Sequence, residues 1–249
     1  MKEQIYTIPV NEAFDTACEC PLCHLQDRLE KEAIDSSLGA AMMEPDRRTE
    51  SNEKGYCNKH FSMLFAYPNK LSLALVLDTH LEEIREKLAK QEKSAASLSK
   101  GKSGLFKKSD ANAFSETVSQ TLHEIEHRCV ICEKIDYTME RYLDVLFFLW
   151  ENDAAFREKF DASKGVCLPH FATLCRMSVK HLKQDKAAQF LSELYQKQQT
   201  ELARIQDDIH RFVLKFDYRN QDMEWGTAKD APIRTIEKIS GFIQKPEEK

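Results

Sequence analysis

Apolar residues recur every three to four positions along most of this chain, the spacing of one face of an α-helix. Phe114, Val118, Leu122 and Ile125 form one such stripe, and Leu77, Leu81, Ile84 and Leu88 form another. Leu191, Leu194, Leu202, Ile205, Ile209, Phe212 and Phe216 form a third, which predicts one long helix packed against a neighbour. Helix breakers are scarce: 7 Gly and 7 Pro in 249 residues, with none from Phe106 to Lys164 or from Phe171 to Trp225. The pattern predicts an all-α fold, with the stripes as its core.

The periodicity lapses over residues 89–113, where Ser, Lys and Gly dominate and six lysines stand against Glu92 and Asp110. This composition reads as a flexible linker between two helical halves, residues 1–88 and 114–216. Lysines alone, without an aromatic or arginine platform, argue for a solvated segment over a nucleic-acid contact. Residues 217–249, with Trp225-Gly226 and Pro232–Ile239, are expected to form a turn and a short closing helix.

Composition adds limits. Hydrophobic residues are 42% and charged residues 31%, ordinary for a globular protein, and the net charge of −5 gives no overall attraction to nucleic acid or to an anionic membrane. The N-terminal segment lacks an apolar run of signal-peptide length, and no stretch approaches the roughly 18 apolar residues of a membrane span. A cytoplasmic location is therefore expected, where spaced cysteines signal metal or redox chemistry more than disulfides.

Those cysteines carry the chemistry. Cys20-Pro-Leu-Cys23 is followed by Cys57-Asn-Lys-His60, and Cys129-Val-Ile-Cys132 by Cys167-Leu-Pro-His170. The first-to-third cysteine separations are 37 and 38 residues. Two pairs of donors, three residues apart within each pair and drawn from distant segments, are how a chain chelates tetrahedral zinc. The expectation is two Cys3His sites, one per half: Cys20, Cys23, Cys57 and His60, then Cys129, Cys132, Cys167 and His170. Further positions match at equal offsets: Lys54-Gly55 with Lys164-Gly165, Phe61 with Phe171, Asp27 with Asp136, Ile34 with Leu143, and Leu38 with Phe147. An internal duplication accounts for this. Pro21 and Pro169 suit the first turn of a helix, so helix N-termini would point at the metal and favour thiolate. Four protein ligands complete the tetrahedron, which marks a structural rather than a catalytic zinc.

The segments around these ligands, together with Lys215-Phe-Asp-Tyr-Arg219, resemble an uncharacterised bacterial family, a domain of unknown function. The resemblance implies helical proteins with the same doubled cysteine–histidine pattern and brings no activity with it.

Other motifs carry less. Cys20–His24 matches the haem-attachment pattern CxxCH, but the second half has Glu133 where His24 stands. His123-Glu124-Ile125-Glu126-His127 has the HExxH form of metallopeptidases, but it lies on an apolar-periodic helix, and Glu126 puts a charge between the histidines. The CxxC pairs lack the βαβ context of thioredoxin-like dithiols, and an iron–sulfur cluster would ordinarily use four cysteines. Cys18 and Cys175 fall outside both sets, though Cys18 could replace Cys20. The sequence therefore points to a cytoplasmic protein with two Zn2+ per chain, acting as a binding or scaffolding module with a protein partner. A thiol/metal redox sensor is the alternative, and an HExxH metallopeptidase the second.

Overall fold

A computed structural model describes residues 4–99, 111–220 and 222–243. These residues form twelve α-helices and no strand. In order they are α1 (Gln4–Asp15), α2 (Pro21–Leu38), α3 (Pro45–Lys54), α4 (Asn58–Ala66), α5 (Lys70–Ala89), α6 (Glu92–Ser99), α7 (Ala111–His127), α8 (Val130–Asn152), α9 (Ala154–Ala162), α10 (Leu168–His181), α11 (Gln184–Lys215) and α12 (Ala231–Ser240). The all-α expectation holds, and the long helix is α11. Within the expected linker, Glu92–Ser99 is helical, and residues 100–110 lie outside the described residues. None of the twelve helices is long and apolar enough to cross a membrane.

The chain divides into two compact units: Met1–Leu29 with Tyr137–Lys249, and Glu30–Asp136. The division falls within α2 and α8.

The first unit is built around aromatic rings. Phe190 of α11 meets Trp150 at 5.0 Å, Phe147 at 5.1 Å and Phe160 at 5.7 Å, and Phe14 of α1 meets Phe156 at 5.1 Å. All six are buried. Edge-to-face packing adds about 0.5–1.5 kcal/mol per pair beyond the area buried. Asp153 caps α9 by accepting from the Ala155 and Phe156 N–H groups, which fixes where the chain turns after α8.

In the second unit α3 packs on α5. Its core comprises Ile34, Leu38, Tyr56, Leu64, Leu73, Val76, Ile131 and Ile135. Asn69 caps α5 through the Ser72 N–H.

Two stripes that the periodicity assigned to the core are not core. In α5 the buried face is Ser72, Leu73, Val76 and His80, while Leu77 is 41% and Leu81 58% exposed. No residue of α7 is buried, and Leu122 is 41% exposed. Both helices carry apolar residues on more than one face, and among the described residues α7 packs on α5 and α6. In α11 the buried face of Phe190, Leu194 and Ile205 also includes the polar Gln198 and Asp208.

Candidate metal centres

Each CxxC opens a helix. In Cys20–Cys23 the Cys23 N–H points at the Cys20 sulfur (3.4 Å), and the His24 N–H bonds the Cys20 carbonyl (3.1 Å). In Cys129–Cys132 the corresponding distances are 3.5 and 3.0 Å. The free N–H groups of α2 and α8 thus face sulfur, where they stabilise a thiolate.

Each CxxH is delivered by a glycine turn. Gly55 (φ 65°) and Gly165 (φ 70°) occupy the left-handed region. Two residues later Cys57 and Cys167 take extended conformations, φ/ψ −72°/166° and −70°/161°, and cap α4 and α10. Their carbonyls accept from Phe61 and Phe171. One turn into each helix, His60 and His170 return to the capping cysteine, with Nδ1 3.2 Å from its sulfur in both cases.

The eight donors gather in two groups of four, and within each group all donor atoms lie within 4.8 Å of one another. The pairing differs from the expected one. Cys20 and Cys23 meet Cys167 and His170, and Cys129 and Cys132 meet Cys57 and His60. A long helix follows each CxxC. At 1.5 Å per residue, the 18 residues of α2 span about 27 Å beyond one CxxC and the 23 of α8 about 35 Å beyond the other. Each CxxH joins the CxxC of the other repeat.

The spacings fit a tetrahedral metal. Zn–S bonds of about 2.3 Å and Zn–N bonds of about 2.0–2.1 Å separate sulfurs by about 3.8 Å and sulfur from nitrogen by about 3.6 Å. The first group has Cys23–Cys167 at 3.6 Å, with His170 Nδ1 at 3.2–3.5 Å from the three sulfurs. The second has Cys57–Cys132 at 3.8 Å, with His60 Nδ1 at 3.2–3.4 Å from its three. Without a cation the thiols compete for protons. Hydrogen bonds from Cys20 and Cys23 hold Cys167 at about 3, and Cys23, donating to Cys167, is pushed well up. Burial raises Cys129, but His60 and backbone N–H groups outweigh it and bring it to about 6.

The surroundings of the two groups differ. His60 turns its Nε2 to Glu30 Oε1 at 3.0 Å, and Glu30 is buried and also paired with Lys59. A carboxylate on the far ring nitrogen fixes the tautomer of a metal-binding histidine. The position ten residues after Cys129, equivalent to Glu30, is Met139. The Val130 N–H joins the second group's two knuckles by bonding the Gly55 carbonyl at 3.1 Å.

A buried lysine joins the knuckles of the first group. Lys238 of α12 is 0% exposed, and its Nζ donates to the carbonyls of Glu19 (2.8 Å) and Lys164 (2.6 Å). Glu19, also buried, pairs with Lys238 at 3.2 Å and Arg204 at 2.6 Å. Burial pushes its carboxyl up, but these two cations hold it below the usual range. Asp208 accepts from Thr227 and Arg234, which lies 3.6 Å from Glu19. Gly241 closes α12 at φ 91°, and a Cβ there would lie 3.6 and 3.8 Å from the Cys23 and Cys167 sulfurs. Sequence reasoning missed Glu19, Glu30, Lys238 and Asp208. Glu19 had the one available signal, its position beside a CxxC.

The remaining motif residues stand apart. His24 is exposed. The His123 and His127 rings lie tilted 3.9 Å apart on the exposed surface of α7, and no third donor gathers with them among the described residues. Cys18 and Cys175 are half-buried and belong to neither group, and burial pushes the Cys18 thiol to about 11. A cleft of about 350 Å³ borders the first group and is lined by Cys18, Cys20, Cys23, His24 and Lys164.

The chain belongs to a family of unknown function, DUF6062, whose model matches residues 1–246. No curated protein and no solved structure matches it.

Proposed function

Within that family of unknown function, we propose that this chain is a cytoplasmic zinc protein that holds two Zn2+ as structural ions and serves as a binding or scaffolding module. The observation that carries this reading is the pair of four-donor groups at tetrahedral spacing. Three thiolates and a neutral imidazole favour zinc over hard cations. Four protein ligands leave no position for a substrate or an activated water. Zinc bound there supplies a Lewis acid with no redox chemistry of its own. The chain contributes the thiolates, the N–H groups that stabilise them, and the Glu30 and Lys238 contacts that set the ligands. The test is elemental analysis of protein purified under reducing conditions. The expected result is two zinc ions per chain and a colourless spectrum. One metal or none, or visible absorption from iron–sulfur charge transfer, overturns it.

The cleft favours a second reading, a thiol/metal redox sensor, because it borders Cys20 and Cys23 and sets the half-buried Cys18 beside them. Zinc released by stoichiometric peroxide within minutes and recaptured after reduction would put this reading first.

A further inference from the structure

Neither half of the sequence completes a ligand group by itself. The segment before residue 100 supplies Cys20 and Cys23 to one group and Cys57 and His60 to the other, and the segment after residue 110 supplies the complementary pairs. The exchange extends past the ligands, within each compact unit. In one, α1 packs on α9, Phe14 meets Phe156, Asp15 pairs with Lys159, and Glu19 pairs with Arg204. In the other, α7 packs on α5 and α6, the Val130 N–H bonds the Gly55 carbonyl, and Lys54 pairs with Glu133. Every one of these contacts joins the earlier segment to the later one.

We propose that the two halves are an internal dimer: each is the other's binding partner, and the two metal ions are shared reciprocally across their interface. This rests on the metal-binding reading above. A single half has one CxxC and one CxxH, and the two fall in different groups, so neither group is complete within one half. Its fitting partner is a second helical segment of the same design, with CxxC at one helix start and a glycine-turned CxxH at another. Two such segments satisfy each other twice, the self-complementary exchange of a two-fold interface. Joining them in one chain makes the encounter intramolecular and raises the effective concentration of each half. It also explains why the ligand pattern occurs twice with almost equal spacing, yet pairs across the repeats.

The test keeps the whole chain. A protease site is placed within residues 100–110, the protein is purified folded, with an N-terminal tag, and it is then cut. The expected result is that the tagged fragment retains the other at one to one, with both metals in the complex. Stripping the metal with a chelator should weaken the association at least about tenfold. Fragments that separate with one metal each overturn the proposal in favour of local closure. So does an association unchanged by metal removal. An uncut protein with no metal instead refutes the metal reading itself, so the two failures are distinct.

Discussion

At the scale of single residues, the two glycine turns look alike in sequence and differ in what surrounds them. A Cβ at Gly55 would lie 2.3 Å from His80 Nε2, whereas one at Gly165 would have Gln198 Oε1 as its nearest atom, at 3.4 Å. Gly165→Ala therefore carries the cost of a left-handed alanine, about 1–2 kcal/mol. Gly55→Ala carries that and must also displace a buried ring held to the Asn52 carbonyl. Thermal melting of both variants should rank Gly55→Ala as clearly less stable; equal melting points would contradict this. Glu30 permits a second comparison. Glu30→Gln leaves the ligands of the second group in place but loses the carboxylate that orients His60. Loss of such a contact typically lowers metal affinity 10–100-fold. Competition with a chromogenic chelator should then show one of the two zinc ions weakened and the other unchanged.

Among the helices, α12 does most to shape the first group, although it supplies no ligand. Lys238, fully buried, satisfies two carbonyls and balances the buried Glu19. Lys238→Met keeps the bulk and removes the charge, leaving Glu19 short of a buried partner. Breaking a buried pair in this way costs about 3–5 kcal/mol. Chemical denaturation should show that loss, with metal lost first from the group containing Cys167. Asp208 ties α11 to α12 and gives a pH test. Burial raises its carboxyl, but Thr227 and Arg234 outweigh this and hold it below its ordinary value. A depressed carboxylate stabilises the fold fully above its unfolded pKa, about 3.9, and that contribution is lost as the pH falls through the folded value. The stability gap between the parent and Asp208→Asn should thus stay constant from pH 7 to about 5 and shrink below about 4. A gap that widens in acid would contradict the assignment.

For the molecule as a whole, the reciprocal pairing fixes which substitutions share an outcome. Cys20→Ser and Cys167→Ser damage the same group, so each alone and both together should leave about one zinc per chain. Cys20→Ser with Cys57→Ser damages both groups and should leave none. Local pairing predicts the reverse: one zinc for Cys20→Ser with Cys57→Ser and none for Cys20→Ser with Cys167→Ser. Zinc content of the two double variants separates the arrangements without any assay of function.

The sequence by itself determined the helical class, the long helix α11, the closing helix α12 and the eight clustered donors. These follow from local chemistry: helical periodicity, scarce breakers, and donors three residues apart at helix starts, where N–H groups favour thiolate. It did not determine which CxxC meets which CxxH, because separations of 37 and 38 residues say nothing about the path between them. That path depends on how the helices that carry the donors pack within each compact unit. Burial was legible only where the apolar stripe had a neighbour. Ile34, Leu38, Leu143 and Phe147 are buried as their spacing suggests, whereas Leu77, Leu81 and Leu122 are exposed among the described residues. Glu19, Glu30, Asp208 and Lys238 could not be read as buried, since a charged side chain enters a core only when tertiary structure brings it a partner.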